Sequence, residues 1–183
     1  NGYIVEKPNM QKSKVNLVWF KRDLRIHAHS PLFEASNTNL PIIPLYIVEP
    51  EYWVQKFASR RHWHFIHDCL VELRRDTKNL GQPLIIRSGH AVDVFEDIHN
   101  QFNINSVYTH EESGNGWTYE RDKAVIKWCK DSEVSLIEYP YNGVVRQLKS
   151  RDDWSKIRNK RMDGDLVPKP NKITPLKDMQ LGN

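Results

Sequence analysis

Five short runs of apolar, β-branched and aromatic residues, separated by segments with helical periodicity, constrain this chain more than any other feature. They are Val15 to Phe20, Ile42 to Val48, Leu84 to Arg87, Ser106 to Thr109 and Val134 to Tyr139. Each is mostly apolar along its length, the pattern of a strand covered on both faces. Between them, Ser59 to Thr77 places Trp63, Ile66, Leu70 and Leu73 three and four residues apart, with Arg74, Arg75 and Asp76 on the remaining surface and Asn79 and Gly81 as the stop. Ala91 to Gln101 puts Val92, Phe95 and Ile98 on one stripe, and Trp117 to Lys130 turns Ala124, Val125 and Trp128 inward. Pro31 to Ser36 reads as a shorter helix with Ser30 as its cap and Pro31 at its first position.

Strands that alternate with helices predict an α/β fold, a doubly wound parallel sheet with helices on both faces, because parallel neighbours need right-handed crossovers. The expected Rossmann-like strand order is 3-2-1-4-5, with a ligand crevice outside the carboxyl ends of strands one and four. That crevice would be lined by Lys21 to His29 and by His110 to Trp117. No Gly-x-Gly-x-x-Gly follows the first strand and no Gly-Lys-Ser/Thr occurs, which argues against an ordinary dinucleotide site and a P-loop nucleotidase.

Composition sets the outer bounds. A chain of 183 residues suits one domain that buries roughly two thirds of its unfolded surface. No apolar run approaches the ~20 residues needed to cross a bilayer, and Asn1 to Lys14 carries no signal-peptide core, so no membrane partner is expected. Cys69 and Cys129 stand alone inside expected helices and read as reduced thiols, which points to a cytoplasmic location. The net charge of +4 acts as a nucleic-acid footprint only if it is clustered. The densest cluster, Arg146, Lys149, Arg151, Lys156, Arg158, Lys160 and Arg161, reads as a solvated or interdomain surface. His62, His64 and His67 share one helix without a third ligand at metal spacing, so no metal site is expected. Trp19, Trp63, Trp117 and Trp128 read as core packing at strand and helix spacing.

Two segments carry the chemistry. In Val18-Trp19-Phe20-Lys21-Arg22-Asp23-Leu24-Arg25, an apolar strand runs straight into three cations and a carboxylate. In His110-Glu111-Glu112-Ser113-Gly114-Asn115-Gly116-Trp117-Thr118-Tyr119, two carboxylates, two glycines and aromatic rings either surround a flat, hydrogen-bonding molecule or open a helix. In the second case Ser113 or Asn115 caps and Trp117 packs on the sheet.

The first of these segments closely resembles the opening signature of the photolyase and cryptochrome family, roughly V-W-F-R-R-D-L-R-L. Further similarities follow in order: Glu49-Pro50 after the second strand, Arg60 to Phe65, Leu80 to Arg87 with Gly89, Tyr119-Glu120-Arg121-Asp122, and Asn142 to Val145. Together they span about residues 15 to 160 and point to the N-terminal, antenna-type domain of a bacterial deoxyribodipyrimidine photolyase-like protein.

The resemblance implies a division into three parts: a disordered or added lead at 1–14, the α/β domain at 15–140, and at 141–183 a basic extension that begins an interdomain linker. A helical domain of the same chain that binds FAD would be the partner, and damaged DNA would be bound by the full-length protein. That protein would be a light-dependent lyase splitting pyrimidine dimers, with no catalytic residue in this part, which would be inactive alone and bind no FAD. This domain would serve as scaffold and as the site of an antenna folate, deazaflavin or flavin, with Arg22, Asp23, Arg25, Glu49, Glu111, Glu112 and Asn115 as candidate contacts. The alternatives are a cryptochrome-type blue-light photoreceptor or a stand-alone nucleotide-binding α/β module.

Overall fold

Alternate residues of the first strand enter different cores: Leu17 and Trp19 pack on one face of the sheet, Val18 and Phe20 on the other. The computed structural model describes residues 13–53, 60–112, 116–140 and 167–176. Its elements are β1 (Lys14–Phe20), α1 (Ser30–Ser36), β2 (Ile42–Val48), α2 (Pro50–Trp53), α3 (Arg60–Leu80), β3 (Ile85–Ser88), α4 (Ala91–Gln101), β4 (Asn103–His110), α5 (Gly116–Asp131) and β5 (Ser135–Tyr139). All four strand pairings are parallel, in the order β3-β2-β1-β4-β5, as expected from the sequence. Helices α1 and α3 cover the face of Val18 and Phe20, while α4 and α5 cover that of Trp19. The change of face between α3 and α4 is the crossover reversal that puts β1 beside β4.

Local departures from the sequence reading each have a cause. Helix α1 begins at Ser30 because the His29 imidazole, rather than the Ser30 hydroxyl, accepts the Leu32 N–H at 3.0 Å. The buried stripe of α5 passes through Thr118, Val125, Trp128 and Cys129, which leaves Ala124 exposed. Helix α2 is only four residues long, too short to display a period. Cys69 on α3 and Cys129 on α5 lie on opposite faces of the sheet and cannot pair.

Residues 167–176 lie against the domain that precedes them. The buried Ile173 donates its N–H to Leu80 O, Thr174 O receives Ile42 N–H, and Leu176 N–H reaches Gln82 Oε1, each at 2.9 Å. The basic cluster and Asn142 to Val145 fall outside the described residues. Gly81 makes this packing feasible: it sits at φ +131°, and a Cβ there would lie 2.5 Å from Ile173 O. Gly81→Ala is expected to cost about 1–3 kcal/mol in urea denaturation, with faster hydrogen exchange at the Ile173 amide. Unchanged exchange there would mean that the segment is not held at Gly81.

Candidate functional site

Beyond Phe20 the chain folds back over the sheet, and the fold-back is held by a carboxylate. Asp23 accepts the Lys21 N–H at Oδ1 (2.8 Å), while its Oδ2 meets His29 Nε2 at 2.5 Å and His110 Nδ1 at 2.6 Å. All three side chains are buried. Because His29 Nδ1 already accepts a backbone N–H, its proton resides on Nε2 and is donated to Asp23. Burial lowers the pKa of His29, which keeps that ring neutral. Burial opposes the charge on Asp23 as well, but the histidines hold its pKa well below the ordinary carboxylate range.

Among the described residues this is also the trio whose ligand atoms could converge on a metal, all lying within 4.8 Å of one another. The chemistry of His29 opposes that role. A metal on Nε2 would require a ring that has lost both protons, since Nδ1 acts as an acceptor. The trio is a hydrogen-bonded latch joining the loop after β1 to the end of β4.

The latch fills the ground above β1 and β4, so the crevice lies over β1 and β2 instead. Its cavity volume is about 40 Å³, well below the roughly 300–1,000 Å³ typical of drug-sized ligand sites, so it is a shallow cleft. Trp19, Phe20, Tyr46 and Ile47 form its base, and Tyr52, Trp53 and His62 line one side. The aromatic wall continues beyond the crevice, with Trp53 against Trp63 at 5.0 Å and Tyr52 against Trp117 at 5.6 Å between ring centroids.

Beside this wall, over the Trp117 ring at 5.6 Å from its centroid, stands a cluster centred on Arg121. Its Nη1 donates to Glu49 Oε1 at 2.7 Å, Nη2 to Glu112 Oε2, and Nε to Asp122 Oδ1 at 3.1 Å. Arg22 Nε reaches the other Glu112 oxygen at 3.1 Å, and Lys21 lies above the Trp19 ring, 4.3 Å from its centroid. Burial pushes Glu49 up to about 7 despite Arg121, whereas its acidic neighbours outweigh burial at Arg121 and hold its proton more firmly.

Of the residues singled out from sequence, Arg22, Glu49 and Glu112 line the crevice. Asp23 lies beneath as the latch, and Arg25 donates to the carbonyls of His27 and Ala28 (both 3.1 Å), shaping its own loop. Glu111 gives its backbone N–H to Tyr139 O, and Asn115 lies outside the described residues. Sequence reading missed Tyr46, Tyr52, Trp53 and Arg121 as lining residues. The Tyr52-Trp53 pair directly after Glu49-Pro50 was the available signal.

Comparison with known proteins reaches the same family by a separate route. The family model described as DNA photolyase matches residues 16–152. Cryptochrome-1 of Anopheles gambiae is 26% identical over 161 residues, covering 84% of this chain and 28% of that protein. A cryptochrome DASH of Gloeobacter violaceus is 31% identical over 106 residues, 55% of this chain and 21% of that protein. The chain thus spans under a third of the length of these relatives. In structure it is similar to a Synechocystis cryptochrome, with TM-score 0.74, 21% identity and coverage of 94% of this chain and 39% of that one. It is likewise similar to a class III photolyase of Agrobacterium tumefaciens, with TM-score 0.72, 18% identity and coverage of 100% and 39%.

Proposed function

Since this chain belongs to the DNA photolyase family, we propose that it is the α/β domain of a light-dependent flavoprotein and holds an antenna chromophore in the crevice over β1 and β2. The observation that carries this reading is the crevice itself, lined by aromatic rings and by hydrogen-bonding groups clustered on one arginine. A flat conjugated ring suits that arrangement: Tyr52 and Trp53 offer π faces, while Arg22, Glu49 and Glu112 offer polar atoms. Such a chromophore would absorb near-ultraviolet or blue light and pass its energy to FAD in the helical domain of the full-length protein. The residues of this chain would bind and orient the ring and shield it from water. Light-dependent repair of pyrimidine dimers in DNA is the proposed activity of the whole protein, with no FAD bound by this domain alone.

A blue-light photoreceptor is the second reading, favoured by the two curated relatives, both named cryptochromes. Among the described residues no helix is long and apolar enough to cross a membrane. The proposed location is the cytoplasm, in keeping with Cys69 and Cys129 forming no disulfide with each other.

Titrating the chain with a reduced folate, a deazaflavin and FMN is expected to give saturable fluorescence quenching with at least one of them. Trp53→Ala should weaken that binding about 3- to 10-fold through lost ring contact. Flat titrations with all three would remove the antenna assignment.

A further inference from the structure

Strand β3 stands at the end of the sheet, and among the described residues no strand pairs with its outer edge. Just past β3, Gly89 donates its N–H to Val48 O at 3.0 Å, so the odd-numbered positions turn their backbone groups to β2 and the even-numbered ones turn theirs outwards. Arginines take the outward carbonyls. Arg74 of α3 donates from Nε to Leu84 O at 3.1 Å, and Arg87 donates from Nη1 to Ile86 O at 2.9 Å. The outward Leu84 N–H goes to Thr77 Oγ1 at 2.8 Å. An edge occupied in this way has little to offer an added strand.

The same bonds gather two half-buried cations at one edge, one from each side of the sheet. Helix α3 carries Arg74 on one face, while Arg87 shares the other face with Ile85. Burial and the neighbouring Arg74 both lower the pKa of Arg87, as expected of like charges held close together. What this edge presents is positive charge, and its natural occupant is an anion.

The chain itself brings one to this corner. Ile173 packs on the α3 face and Leu176 on the opposite one, so residues 167–176 cross the end of the sheet where β2 and β3 begin. Leu176 is tied to Gln82 Oε1, two residues before Leu84. Asp178 follows two residues after Leu176, at most about 7 Å further along an extended chain. It is the single acidic side chain after Asp165 in this sequence. We propose that residues 177–183 run along the outer edge of β3, where the Asp178 carboxylate binds the guanidinium groups of Arg74 and Arg87. Side-chain charge, rather than a sixth strand's ladder, holds the segment there. Lys177, which alternates with Asp178 in an extended chain, faces solvent. Docked in this way, the segment shields the edge of β3 and fixes the path of the chain beyond Leu176.

Amide hydrogen exchange of the whole 183-residue chain at pH 7 tests this, with the Leu176 N–H as reporter. Asp178→Asn should speed exchange there about 3- to 10-fold. It should add nothing in a chain that already carries Arg74→Gln and Arg87→Gln, because the contact is then already lost. Raising salt from about 50 to about 500 mM should speed exchange in the native chain and leave Asp178→Asn unmoved. Asp178→Asn keeps the arginine–carbonyl bonds, so it and the salt series decide the matter even if the double arginine variant loosens β3. Unchanged exchange in Asp178→Asn, or an effect of equal size in the double arginine background, would overturn the proposal. So would weaker binding of a labelled single-stranded oligonucleotide by Arg87→Gln with exchange at Leu176 unaltered, since the pair would then serve a polyanion from outside.

Discussion

Replacing Arg121 by methionine is expected to destabilise the domain by about 3–5 kcal/mol near pH 8, because it strands two nearly buried carboxylates that share one cation. The deficit should shrink towards pH 5.5. Glu49 is already pushed up to about 7, and without its guanidinium it would bind a proton still more readily in the folded state. When the folded state binds more protons than the unfolded one, stability falls as pH rises, so the variant suffers most in alkaline solution. Urea denaturation at the two pH values measures the difference. A double variant with Glu49→Gln should recover part of the loss. Equal deficits at both pH values would mean that the carboxylates find other partners and that the cluster is not organised by Arg121.

Asp23→Asn is the second large effect, expected to cost about 2–4 kcal/mol. An amide can accept at one atom only, so it cannot serve the Lys21 N–H on one side and both His29 and His110 on the other. The latch would open and the loop after β1 would lose its anchor on β4. Weaker chromophore binding should accompany the lost stability, although Asp23 does not line the crevice.

The same cluster sets the response to acid. His29 is neutral when folded and its pKa lies below the ordinary value, so the unfolded chain binds its proton first and stability falls as pH drops below about 6.5. Asp23, held well below its ordinary range, adds a further loss below about 3.9. Glu49 works in the opposite sense between about 4.5 and 7, where the folded state is the one that takes up the proton. The two effects offset each other in the native chain. Glu49→Gln should uncover the His29 slope, up to about 1.4 kcal/mol per pH unit, in thermal melts between pH 5 and 6.5. A melting profile as flat as that of the native chain would show that His29 does not titrate on unfolding.

The parts of this protein legible in its sequence are those governed by local periodicity. Val15 to Phe20 and Ile42 to Val48 read as strands because a strand covered on both faces must be apolar throughout. Ile66, Leu70 and Leu73 read as a helix because only a 3.6-residue period puts them on one face. From these elements the right-handed crossover rule leads to the observed strand order. The resemblance of Phe20 to Arg25 to one family was likewise present in the residues alone, as were Arg22, Glu49 and Glu112 as members of a polar site.

What the tertiary structure decided is which polar groups meet. Asp23 and His110 are 87 positions apart, Glu49 and Arg121 are 72 apart, and no local pattern says that either pair should touch. Both contacts arise because a doubly wound sheet brings the carboxyl ends of distant strands to one edge. Once there, desolvation sorts the groups. Asp23 gains enough donors to become a structural latch, whereas Glu49 receives a single guanidinium nitrogen and lines the crevice. The sequence alone determined the sheet and the chemical kinds at its edge. Burial and hydrogen-bond supply, which exist only in the folded chain, determined which carboxylate holds the fold and which one faces the crevice.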